Sequence, residues 1–94
     1  ANESNLSQAL QMINGPTVHN KLRDDNGRIN KMMVDGKSDD EIITALYLSA
    51  VARTPSTDEL TAAKNHIGKS ENRRFGLEDV GWAVLNSKEF LFQH

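Results

Sequence analysis

Arg53 is the residue with the best claim to chemistry. It stands at the end of an apolar run, S-D-D-E-I-I-T-A-L-Y-L-S-A-V-A-R at 38–53, directly ahead of the turn T-P-S-T-D-E-L at 54–60. An arginine there has two uses. It can bind an anionic ligand through its planar fork, or it can lock the turn by pairing with Glu59, Asp58 or a carbonyl at a helix end. Placed in the last turn of a helix it would also suit the helix dipole. The spacing favours the locking role. Other constellations are weaker. His19, His66 and His94 are nowhere three or four apart, so no helix offers a paired metal site. No G-x-S-x-G elbow accompanies the serines, so nothing selects one of them as a nucleophile.

The loop Asp24-Asp25-Asn26-Gly27-Arg28-Ile29 has the composition of a calcium loop. Aligning Gly27 with the glycine of an EF-hand puts Asp24 and Asn26 at ligand positions. It also puts Leu22 at the first ligand position and Met33 where the bidentate glutamate belongs, and neither ligates calcium. An Asx-turn is the expected structure. Met12, Met32 and Met33 fall at helical spacing and are expected as core filler rather than haem ligands. Segment 53–59 has the outline of a helix–turn–helix. Its second helix would present Asp58 and Glu59 at the end where phosphate contacts form, which argues against nucleic acid. Expected cofactors and metals are therefore none.

Composition narrows the classes further. Ninety-four residues with 37% hydrophobic and 5% aromatic content predict one small domain, 1–94, whose core rests on aliphatic side chains and methionine. A net charge of −2 gives no field towards nucleic acid or anionic membrane. Cysteine is absent, which excludes disulfides, thiolate nucleophiles and c-type haem attachment. No apolar stretch approaches the roughly twenty residues that span a bilayer, so no membrane insertion is expected.

The elements that must position these residues are helical. Ser38 with Glu41, and Ser56 with Glu59, are two capping boxes. The first opens a helix over about 39–53 that is apolar nearly all round, the expected buried centre of the fold. Pro55 closes it, because proline disfavours the helical conformation at Thr54. Leu6, Ala9, Leu10 and Ile13 predict a helix before Gly15-Pro16, and Val18 with Leu22 a short second one. Ile29, Met32 and Met33 predict a third, stopped by Gly36. After the 39–53 helix, a fifth runs over about 57–67 with Leu60, Ala63 and Ile67 inward. The sixth shows Leu77, Val80, Val84 and Leu85, with Trp82 displaced round its surface. Asn86 or Ser87 is expected to cap one last turn carrying Phe90 and Phe92. No period-two pattern persists. The expectation is an all-α bundle of about six helices.

Three ordered motifs, L-S-Q-A-L-Q-M-I-N-G-P at 6–16, the 38–60 stretch, and W-A-V-L-N-S-K-E-F-L-F-Q-H at 82–94, resemble a planctomycete-specific C-terminal domain of unknown function. That family closes large exported bacterial proteins, many of which carry a cytochrome-c-like domain upstream. Gln93 stands where asparagine is commoner, and Gly81 where a larger apolar residue is usual, a change expected to loosen packing beneath Trp82. The resemblance implies a C-terminal fragment of a longer chain, and an exported, periplasmic or cell-surface location. A second, fold-level likeness is to helical repeats of phycobilisome-linker type, which are assembly modules. The expected function is a non-catalytic helical interaction module, not an enzyme, packing on upstream domains or another protein. An apolar patch near Trp82, Phe90 and Phe92 is its expected surface. The alternative is an accessory part of an enzyme or electron-transfer assembly, with Arg53, Tyr47, His66 and His94 as the residues to gather in a pocket.

Overall fold

The computed structural model describes residues 2–11 and 27–92, with side-chain surroundings for 6–11 and 27–86. Among the described residues there are five helices and no strand: α1 (Asn2–Gln11), α2 (Arg28–Val34), α3 (Asp39–Val51), α4 (Thr57–Lys69) and α5 (Arg73–Phe92). The helix expected around Val18 and Leu22, the loop from Asp24 to Asn26, and Met12, His19 and His94 lie outside them.

Several boundaries have local causes. In α1 the buried side chains are Leu6, Ala9 and Leu10, one stripe at helical spacing. α2 ends as Gly36 predicts. Gly36 adopts φ 83°, its N–H donates to the Met33 carbonyl, and the Lys37 N–H donates to the Met32 carbonyl, each at 3.0 Å. These are the two bonds of a Schellman cap, which uses the carbonyls that a helix end otherwise leaves unpaired.

Both capping boxes form. The Glu41 N–H donates to Ser38 Oγ at 3.1 Å, and the Ser38 N–H donates to Glu41 Oε1 at 2.8 Å. The pair Ser56 and Glu59 repeats the pattern at 3.1 and 2.9 Å. At the head of α5 the Phe75 N–H donates to Asn72 Oδ1 at 2.9 Å, so Asn72 starts the longest helix.

Several expectations need correction. α3 stops at Val51, not at Arg53, because Ala52 takes the left-handed conformation at φ 60°. Arg53 therefore stands beyond the helix. α5 also passes through Asn86 and Ser87 without a break. Asn86 Nδ2 donates to the Trp82 carbonyl at 2.9 Å, one turn back along the same helix, so it does not act as a cap. Leu85, expected in the core, is 55% exposed.

The packing turns on α5, which touches each of the other four helices. It contributes Leu77, Val80, Ala83 and Val84 to the core. α3 adds Ile42, Ile43 and Tyr47, while its Leu48 is 51% exposed. The uniform apolarity of 42–52 thus overstates its burial: a helix on one wall of a small domain keeps an outer side. α4 and α5 approach closely at Gly76, where an added Cβ would lie 2.8 Å from Ile67 Cα. At Gly81 the same atom would sit 3.7 Å from Ile29 Cδ1 and Leu46 Cδ2, an ordinary contact distance, so the glycine leaves room for a methyl group there. The Cα radius of gyration, 12.1 Å, matches the roughly 12 Å expected for a chain of this length.

Candidate functional site

The left-handed turn at Ala52 carries the chain out of α3, and Pro55 and Ser56 bring it directly into α4. Arg53 then meets Glu59 in the first turn of α4. Nη1 donates to Oε1 at 2.7 Å and Nη2 to Oε2 at 2.8 Å, a two-pronged pair of the kind that fixes geometry as well as charge. Nη1 also donates to the Thr54 carbonyl at 3.0 Å. The guanidinium carbon lies 5.3 Å from the centre of the Tyr47 ring, within cation–π range. Tyr47, Arg53 and Glu59, all picked out in the sequence, therefore meet at one joint.

Glu59 is the pivot. Its side chain is 3% exposed, against 37% for that of Arg53. Burial pushes its carboxyl up, but the Arg53 bond, the Ser56 N–H, the Arg53 charge and the Ser56 hydroxyl together hold it below the ordinary value. The carboxylate is thus ionised at neutral pH and surrounded by donors. Two prongs of the guanidinium and one carbonyl contact commit Arg53 to the turn. What this arrangement does chemically is to hold two helices at a fixed angle.

Other polar side-chain pairs are present, and the sequence pattern did not reveal those that join separate elements. His66 Nε2 lies 2.8 Å from Asp79 Oδ2, tying α4 to α5, with the Asp79 side chain 5% exposed. The Ser70 hydroxyl donates to the His66 carbonyl at 2.8 Å rather than to the ring, so the His–Asp pair has no nucleophile from that serine. Arg74 Nε donates to Glu78 Oε2 at 3.0 Å. Arg73 Nε donates to Asp39 Oδ1 at 2.6 Å, and its Nη2 to the Lys37 carbonyl at 2.8 Å, joining the starts of α3 and α5. Lys64 and Asp40 pair at 3.0 Å on the surface. The pairs His66–Asp79 and Arg73–Asp39 span 13 and 34 residues, beyond any helical repeat. Only the i,i+4 spacing of Arg74 and Glu78 was open to detection.

On the outer side of α3 lies an open depression of about 340 Å³, lined by Asp40, Glu41, Thr44, Ala45 and Leu48. Its positions 41, 44, 45 and 48 are one i, i+3, i+4, i+7 stripe, the arrangement that receives a knob from a facing helix. Glu41 on its rim is held below the ordinary carboxylate value by the Ser38 N–H and hydroxyl, against a smaller opposing effect of desolvation, with the Lys37 charge adding to the lowering. None of Arg53, Tyr47 or His66 lines this depression.

The expected aromatic patch is only partly accounted for. Trp82 is half-buried against the core, and the side chains of Phe90 and Phe92 lie outside the described set. Exposed large apolar side chains among the described residues are instead Val34, Leu48 and Leu85. Among the described residues no group of three histidines or carboxylates could hold a metal ion. No helix of the described residues is long and apolar enough to cross a membrane.

Comparison with models of known protein families, with curated proteins and with solved structures finds no match to this chain.

Proposed function

We propose that this domain is a non-catalytic helical interaction module, and that it closes a larger exported protein as the sequence resemblance implies. The observation that carries the reading is the outer side of α3. An apolar Leu48 stands exposed beside the small residues Thr44 and Ala45, on a helix whose other side is anchored in the core through Ile42, Ile43 and Tyr47. A stripe at this spacing with an exposed leucine on it is a surface on which a partner helix packs. The polar side chains give further support. Ser38, Glu41, Ser56, Glu59 and Asn72 cap helices, and Arg53, Arg73 and His66 join them. They serve architecture rather than a reaction.

The test is affinity capture by the parent protein with and without this domain. Under this reading a defined partner, or an upstream domain added in trans, is held by the domain and lost on its removal. If the domain holds neither, the reading fails.

A further inference from the structure

We draw no further inference here: the strongest candidate, the shallow apolar depression on the outer side of α3, already belongs to the surface described above, and with Asp40 matched by Lys64 and Lys37 beside Glu41 nothing in the structure shows what covers it.

Discussion

Arg53 and Glu59 form a two-pronged ion pair across the α3–α4 turn, at 2.7 and 2.8 Å, with the carboxylate almost fully buried and the guanidinium partly exposed. That asymmetry decides what happens when either partner is removed.

Arg53→Ala leaves a buried carboxylate without its main counter-charge. Removing one member of a buried pair typically costs several kcal/mol. The exposure of Arg53 lets water replace part of the interaction, so the expected loss is about 2 kcal/mol. For a domain of this size that lowers Tm by roughly 8–16 °C. Arg53→Lys recovers only part of the loss, since an ammonium cannot supply two parallel donors. Thermal melts followed by circular dichroism measure both, and an unchanged Tm for Arg53→Ala would sink the locking role.

The same pair sets an acid limit. Glu59 and Glu41 both lie below the ordinary glutamate value of 4.5 when folded. A carboxyl whose folded pKa is depressed contributes stability that is fully present above the unfolded pKa. That contribution is lost as pH falls through the folded one. Stability carried by these groups is therefore flat near neutrality and declines in the acid range below about pH 4.5. Glu59→Gln should be less stable at neutral pH, yet lose less on acidification. Urea melts across this range check it, and an equal acid loss in both proteins would contradict the assignment.

Much of this was legible because it is local. Both capping boxes, the Gly36 stop and the Arg53–Glu59 tie involve residues three to six apart, and backbone geometry fixes what such neighbours can reach. Burial along α3 and α5 was less legible, since apolarity marks a candidate for the core without saying which neighbour covers it. Leu85 and Leu48 misled for that reason. His66 with Asp79, and Arg73 with Asp39, could not be read at all, because their meeting depends on how α4 and α3 pack on α5. The left-handed Ala52 had no signal either, as alanine is not the residue that usually fills that position.

Ala52 accordingly provides a stabilising substitution. A non-glycine residue at φ 60° carries steric strain of about 1 kcal/mol, partly offset in glycine by its greater freedom when unfolded. Ala52→Gly should raise stability by about 0.5 kcal/mol. A drop in the denaturation midpoint would show that this turn is not strained.

Two glycines of α5 should respond in opposite directions to alanine. At Gly76 the new methyl meets the Ile67 backbone at 2.8 Å, and overpacking of that kind costs about 1–3 kcal/mol, more than the helix propensity gained. At Gly81 the neighbours are 3.7 Å away, so the gain of up to about 1 kcal/mol from replacing a mid-helix glycine is retained. Paired urea titrations read the difference, and a Gly76→Ala protein as stable as the unaltered one would contradict the close α4–α5 contact.

Leu48→Asp, assayed for stability and for partner capture on the same protein, decides whether the outer side of α3 is the interaction surface. Leu48 is half exposed and outside the core, so its replacement should cost only about 1 kcal/mol, from the contact it still makes and the lower helix propensity of aspartate. The predicted result is a normally folded domain that no longer holds the partner retained by the unaltered protein. Undiminished capture by a folded Leu48→Asp domain would contradict the assignment of the outer side of α3 as the interaction surface.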